Sequence, residues 1–349
     1  RPPSNWNIVE NTEDTSSTAN DLSMQDEFHI SNMHAAEDQE QIRALLENVK
    51  QSESIIDGEA LTPEDMTVNL LKHQRLGLHW LLQVENSAKK GGLLADDMGL
   101  GKTIQAIALM LANRSEESKC KTNLIVAPVS VLRVWKGELE TKVKKRAKFT
   151  TFIFGGSGNG KVKHWRDLAR YDAVLVSYQT LANEFKKHWP KKLDGEQNQL
   201  PAVPHIQALN RLKTSNEYRS LLDEGQNIKN KNTRASKACC TINGMYRWVL
   251  SGTPIQNSMD ELYSLIRFLR IPPYHKEQRF KLDIGRFFQR NKQYQYDNED
   301  RKNALRKVRV LLNAIMLRRS KADKIDGKPL LELPPKIVEV DESRLKGEE

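Results

Sequence analysis

From Leu61 onward, short apolar runs alternate with stretches in which apolar residues return every three or four positions. The runs Gly92–Ala95, Leu124–Ala127, Thr151–Phe154, Ala173–Val176 and Trp248–Ser251 have the length and content of strands, and each is followed by helix-like sequence. Continuous apolar runs imply burial on both faces, so the alternation predicts an α/β fold with a mainly parallel sheet and helices on both faces. Ligands of such sheets sit at the carboxyl ends of the strands. Residues 1–35, rich in Asn, Ser, Thr and Asp, show no sustained apolar period and read as disordered or extended. Ile42, Leu45, Leu46 and Val49 recur at helical spacing and predict an amphipathic helix over Glu40–Val49, suited to docking on the body or on a partner. Residues 1–60 are therefore read as an acidic, partly disordered extension, and residues 61–340 as the folded lobe.

A chain of 349 residues with 38% hydrophobic content can bury one large core or two small ones. It contains no apolar run of about eighteen residues and no basic-then-apolar leader, so the expectation is an intracellular protein without a membrane span. Cys120, Cys239 and Cys240 make no metal-ligand spacing, and the adjacent pair reads as small buried packers. The net charge of +10 hides an asymmetry: residues 1–60 hold thirteen acids against three bases, so residues 61–349 carry +20. Such an excess either serves solubility or attracts a polyanion, of which nucleic acid is the plainest. It concentrates at Lys142–Arg146, at Lys186, Lys187, Lys191 and Lys192, over Lys229–Lys237 and over Arg301–Arg309. Trp189, beside Pro190, is placed either to stack on a base or to anchor its loop.

The segment from Leu93 to Thr103 reads strand, loop, helix, with Ile104, Ile107, Ala108 and Leu111 continuing at helical spacing. A loop of this shape aims backbone N–H groups and a helix N-terminus at phosphate oxygens, and Gly99 and Gly101 allow close approach. Lys102 would neutralise phosphate charge, and the Thr103 hydroxyl would ligate Mg²⁺. The strict pattern wants glycine five residues before Gly101, where Asp96 stands. Downstream, Leu221 and Leu222 end in adjacent carboxylates, which are either a solvated turn or a pair that divides labour. In the second case Asp223 holds Mg²⁺ and Glu224 orients and deprotonates a water. Ser251 and Thr253, at the end of a further strand, either bridge the carboxylates to a nucleic-acid face or cap the helix Asp260–Leu269 that follows Pro254.

Together these segments resemble the SWI/SNF-like branch of the second helicase superfamily, within it the subgroup whose members often carry a RING ubiquitin-ligase insert. Leu71–Leu81 resembles its adenine-reading motif, where Gln74 would recognise the base, and Asp97, Met98, Gly99, Leu100, Gly101, Lys102 and Thr103 resemble its phosphate loop, with Asp97 where Glu is usual. Leu124–Pro128, Val134–Glu138 and Val176–Thr180 are similar to segments that line the nucleic-acid track, and Asp223–Asn230 and Leu250–Asn257 complete the ordered run. Met316–Lys321 and Leu333–Lys336 look like the exit from the first lobe.

The resemblance implies a RecA-like P-loop lobe, ATP and Mg²⁺ as cofactors, and ATP-driven translocation along double-stranded DNA or nucleosomes, with nuclear residence. It implies a second ATPase lobe as partner, with residues 341–349 starting the linker to it, and poor hydrolysis by this chain alone. Catalysis is expected from Lys102, Asp223, Glu224 and Gln226, and nucleic-acid contact from Lys136, Ser177, Lys229, Ser251, Thr253, Arg318 and Arg319. Other readings are a strand-separating or RNA helicase, and a non-catalytic interaction module. Ser54–Glu59 resembles the acidic, aliphatic segments that add a strand to the small modifier SUMO, making SUMO-modified proteins candidate partners. Two departures stand out. Gln226 occupies a position where His is common, and Tyr218–Leu222 is polar where a buried strand should be apolar, which reads as residues missing from this segment.

Overall fold

The apolar runs form the centre of a seven-stranded sheet, shown by a computed structural model that describes residues 58–115, 121–155, 168–188, 219–242, 244–255, 258–288 and 298–331. The strands are β1 (Gly91–Leu94), β2 (Asn123–Ala127), β3 (Thr151–Phe154), β4 (Ala173–Ser177), β5 (Arg219–Asp223), β6 (Tyr246–Leu250) and β7 (Met316–Leu317), in the order β3-β4-β2-β5-β6-β1-β7. Every pairing in this sheet is parallel. The expected strands therefore form within one to two residues of their predicted limits. The helix Glu40–Val49, most of the acidic extension, Cys120, Trp189 to Lys192, Gln256, Asn257, Leu333–Lys336 and residues 341–349 lie outside the described residues.

Alternate residues of each strand enter two separate cores. Leu94, Ile125, Leu221, Trp248 and Leu250 pack beneath helices α1 (Lys72–Asn86), α2 (Lys102–Ala112) and α3 (Val129–Lys142), through Leu78, Ile107 and Trp135. Leu93, Leu124, Val174, Leu222 and Val249 face the opposite layer, formed by α4 (Tyr178–His188), α5 (Arg234–Thr241), α6 (Met259–Leu269), α7 (Glu277–Asp283) and α8 (Asn298–Ile315). Cys239 and Cys240 are buried in that second core, as small packers. Gly77 lets α1 approach α2: a Cβ there would lie 2.0 Å from Gln105 Oε1.

Arg219 and Ser220, polar at the start of β5, are buried within the strand; Tyr218 and residues 189–217 before it lie outside the described residues. The Arg219 guanidinium grips Glu85 with two bonds, Nε to Oε1 at 2.5 Å and Nη2 to Oε2 at 2.6 Å, and donates to Asn123 Oδ1 at 2.6 Å. Glu85 also accepts from Trp248 Nε1 at 2.9 Å and Asn113 Nδ2 at 2.6 Å. A buried charge is tolerable when it is paired and its remaining hydrogen bonds are made, and that condition is met here.

Register decides where the chemistry meets. Leu94 of β1 pairs with Leu250 of β6, and Leu250 pairs with Asp223 of β5. Three neighbouring strands thus end level, and their carboxyl ends deliver the loop after Leu94, the turn after Leu250 and the couplet Asp223–Glu224 to one rim. With about 4.8 Å between strands, the loop and the couplet start roughly 10 Å apart.

Candidate functional site

After β1 the chain turns through residues 95–101 into α2, whose N-cap is Gly101 in the left-handed region at φ 82°. Gly99 also has positive φ, 94°. The first N–H groups of α2 have no acceptor within the helix and point out of its N-terminus, a geometry that suits phosphate. The loop is held from outside by the strand that begins at Met316: Ala95 N donates to Leu317 O at 2.7 Å, and Asp97 N to Arg319 O at 2.9 Å. Lys321 N returns a bond to Asp97 Oδ2 at 3.2 Å.

Asp96, the departure from the strict pattern, is fully buried and ion-paired with Arg319, whose Nε donates to Oδ1 at 2.9 Å. Arg319 also donates to Gln105 Oε1 at 3.0 Å and to His73 O. This corrects the expectation that Arg319 touches nucleic acid: it is 8% exposed and its donors are spent bracing the phosphate loop. Arg318, beside it, is half-buried.

Lys102 Nζ donates to the carbonyls of Asp96 at 2.7 Å and Asp97 at 3.3 Å, folded back over its own loop. Burial lowers its pKa, against the opposing pull of Asp96, Glu224, Asp223 and Asp97. Lys102 therefore lies in the field of the distant couplet. The turn after β6 closes over it: a Cβ built on Gly252 would sit 3.7 Å from Lys102 Nζ and 3.1 Å from Met98.

Burial raises the pKa of Asp223, while a hydrogen bond from Trp135 opposes the rise. Trp135 Nε1 donates to Oδ2 at 2.6 Å, Glu224 N to Oδ1 at 3.0 Å, and the Tyr178 hydroxyl to the Asp223 carbonyl at 2.8 Å. Glu224 itself has φ 51°, a left-handed backbone that costs a non-glycine residue about 1 kcal/mol or more. Its carboxylate accepts from Gln226 Nε2 at 2.7 Å, while Gln226 Oε1 accepts from Ser251 Oγ at 2.8 Å and Ser251 Oγ accepts from Thr253 N at 3.1 Å. The amide of Gln226 donates with one end and accepts with the other, so it completes a continuous chain from Glu224 to Thr253 without depending on protonation.

Gln74 lies against the same loop, its Oε1 accepting from Leu71 N at 3.0 Å and its Nε2 donating to Leu100 O at 3.4 Å. Recognition of a base by Gln74 requires that amide to exchange partners. His73 Nε2 is 3.1 Å from the same carbonyl, and burial lowers its pKa.

The nucleic-acid candidates divide. Lys136 and Lys229 are about half exposed at their side chains, 3.6 Å from Glu140 and 4.0 Å from Glu261 respectively. Ser177 is buried and is corrected to a helix cap: its hydroxyl donates to Thr180 Oγ1 at 2.8 Å and accepts Thr180 N at 2.9 Å, at the start of α4. Ser251 is likewise fully buried, inside the chain from Glu224, so it can act on nucleic acid only through Thr253. Sequence reasoning placed Trp135 and Tyr178 only within segments that line the nucleic-acid track and gave Asp96 no role; the structure sets both aromatic residues on Asp223. For the tryptophan the available signal was that a buried indole N–H needs an acceptor.

The residues present fit magnesium and a nucleotide. Asp223 and the Thr103 hydroxyl are hard oxygen donors of the kind Mg²⁺ selects, and the glycine-shaped loop with its lysine suits phosphates. A parallel sheet with such a loop at one strand end and an Asp–Glu couplet at another defines a P-loop ATPase lobe. Comparison with known proteins agrees: residues 73–349 match the SNF2-related domain. The chain belongs to the SNF2-related family. It is 96% identical to the ATP-dependent helicase ULS1 of Saccharomyces cerevisiae, with all of the chain and 22% of that protein covered. It is 32% identical to the DNA repair protein RAD5 of the same yeast, covering 71% of the chain and 23% of the relative. The SWI2/SNF2 ATPase core of Sulfolobus solfataricus, solved in complex with double-stranded DNA, superposes with a TM-score of 0.56 at 28% identity, covering 76% of this chain and 47% of that one. The chain thus spans between a fifth and a quarter of the length of these two yeast relatives.

Proposed function

We propose that this lobe is the ATP-binding half of a motor that hydrolyses ATP to move along double-stranded DNA, using Mg²⁺. The observation that carries the reading is the convergence of Lys102, Asp223 and Glu224 at the level ends of β1, β6 and β5. Mg²⁺–ATP supplies the scissile phosphoanhydride and a metal that spreads its charge. Lys102 exchanges its loop carbonyls for phosphate oxygens, and the N–H groups at the start of α2 hold the same phosphates. Thr103 and Asp223 would hold the metal. Glu224 orients the attacking water and takes its proton, and the hydrogen-bond chain through Gln226 and Ser251 links that base to Thr253. Electrostatic attraction of the basic body brings in DNA, with Lys136, Lys229 and Arg318 as proposed phosphate contacts.

Closure on a second lobe, nuclear residence, and action on nucleosomes or SUMO-modified proteins belong to the proposal for the whole protein. The sequence-derived charge asymmetry supports the DNA side of it, and the segment Ser54–Glu59 the SUMO side. The test is the ATPase rate of the full-length protein with and without duplex DNA. Duplex should stimulate strongly, and Lys102→Ala or Glu224→Gln should abolish turnover by a factor on the order of 100 or more. Stimulation by RNA alone would establish an RNA helicase instead, and indifference to Lys102→Ala would remove the ATP-site assignment.

A further inference from the structure

We propose that Trp135 is a positioning residue for Asp223, and that α3 is the element through which contact at the basic face is passed to the ATP site. The inference rests on the ATP-site reading above and adds a specific mechanical joint to it.

Asp223 is 7% exposed, and both of its carboxylate oxygens already have a donor: the Trp135 indole on Oδ2 and the Glu224 amide on Oδ1. Two donors on two oxygens fix the plane of the carboxylate and so the direction of the lone pairs left for a metal. The Glu224 amide is adjacent in sequence and moves with the couplet. The Tyr178 hydroxyl holds the main chain at the carbonyl and leaves the side chain free to turn. The indole therefore sets the side-chain orientation from outside β5. At 2.6 Å it is a short, charge-assisted bond, of the stronger class.

Trp135 is fully buried on the inner face of α3, with Leu132 and Leu139 one turn to either side. The outer face of the same helix carries Arg133, exposed, and Lys136, the next residue after the tryptophan, with 45% of its side chain exposed and 3.6 Å from the exposed Glu140, which a phosphate would have to displace. A phosphate held by these bases pulls on a helix whose buried side ends on the metal-side carboxylate. Hydrogen bonds weaken steeply with misalignment, so a small rotation of α3 is enough to loosen or tighten the Trp135–Asp223 bond. A plain packing role for the indole would need only an apolar ring of similar size at position 135. The two roles separate on removal of the N–H alone.

The experiment is Trp135→Phe in the full-length protein, which keeps an aromatic ring and deletes the donor. The Mg²⁺ concentration giving half-maximal ATPase should rise on the order of tenfold, the size of one lost hydrogen bond to a charged group, and the stimulation by duplex DNA should fall with it. Val84→Ala is the control: it loosens the same core from α1, without touching Asp223 or α3, and should lower the melting temperature while leaving half-saturating Mg²⁺ within about twofold. A Mg²⁺ requirement unchanged in Trp135→Phe, or shifted equally by Val84→Ala, overturns the proposal. If Trp135→Phe does not fold, the ¹⁹F resonance of 5-fluorotryptophan at position 135 gives the answer in the unsubstituted chain. It should move when Mg²⁺–ADP is added and stay fixed in Asp223→Asn, whereas a resonance indifferent to Mg²⁺–ADP overturns the joint. Asp223→Asn run alongside separates the failures: retained ATPase there would defeat the ATP-site reading itself, not the joint alone.

Discussion

Replacing Arg319 by methionine tests whether the phosphate loop is braced by a buried charge pair. Asp96 is fully buried and Arg319 8% exposed, so neither charge has water to fall back on. Removing the guanidinium leaves the Asp96 carboxylate with Gln105 Nε2 as its remaining side-chain donor, at 3.1 Å. Breaking a buried pair from one side costs about 3–5 kcal/mol. Asp96→Gly alone, which restores the strict loop pattern, strands Arg319 instead; its bonds to Gln105 and His73 survive, and glycine adds roughly 0.5–1 kcal/mol of backbone entropy. The double variant has no stranded charge and keeps the methionine stem, so its cost should fall short of the summed single costs by about 2–4 kcal/mol. Against a total stability of about 5–15 kcal/mol, each single change is readily measured by urea unfolding followed by tryptophan fluorescence. Single costs below about 1 kcal/mol that add to within about 0.5 kcal/mol would refute the brace. If Arg319 instead served DNA, Arg319→Met would weaken duplex binding at unchanged stability.

Arg219→Met should destabilise the chain by about 3–5 kcal/mol, because Glu85 is fully buried and loses its two-pronged partner; Arg219→Lys should rescue little, since an ammonium cannot reproduce the fork, and urea unfolding reads both. Glu277 has its pKa held down to about 2, chiefly by hydrogen bonds from Lys231 and Lys281. A depressed carboxylate contributes stability that is present above its unfolded value and lost as pH falls through the folded one. Glu277→Gln should therefore cost under about 1 kcal/mol at pH 7, this pair being partly solvent-screened, and the gap to the parent should close as pH falls from about 4.5 toward about 2. A gap that persists or widens in acid would show that the ion pairs are not its source.

The sheet was legible because strands buried on both faces are written as continuous apolar runs, as in Leu124–Ala127 and Ala173–Val176. β5 was only half legible. Its first two residues are polar, and what makes them acceptable is Glu85, 134 positions away. The same holds at Asp96, whose partner Arg319 lies 223 positions downstream. Local pattern reports propensity and burial, whereas a paired internal charge is a property of the folded neighbourhood. Lys102, Asp223 and Glu224 could be named because a phosphate loop and a carboxylate couplet are short and contiguous. Ser177 and Arg319 were assigned to nucleic acid from motif position, but their hydroxyl and guanidinium were already committed to a helix cap and a brace. Trp135 sits on α3 in the Leu132–Trp135–Leu139 stripe that any core helix would show, so its bond to Asp223 left no mark in the pattern.

The sharpest test of one shared site for Lys102 and the Asp223–Glu224 couplet uses Mn²⁺ in place of Mg²⁺ and reads its coupling to nucleotide phosphorus by electron–nuclear double resonance. One site predicts Mn²⁺ bound together with a slowly hydrolysed ATP analogue, with ³¹P coupling from the β- and γ-phosphates. That signal should be lost in Lys102→Ala and weakened in Asp223→Asn. Mn²⁺ bound near Asp223 without phosphorus coupling would place metal and nucleotide apart, and coupling indifferent to Asp223→Asn would place both away from the couplet; either result contradicts the account.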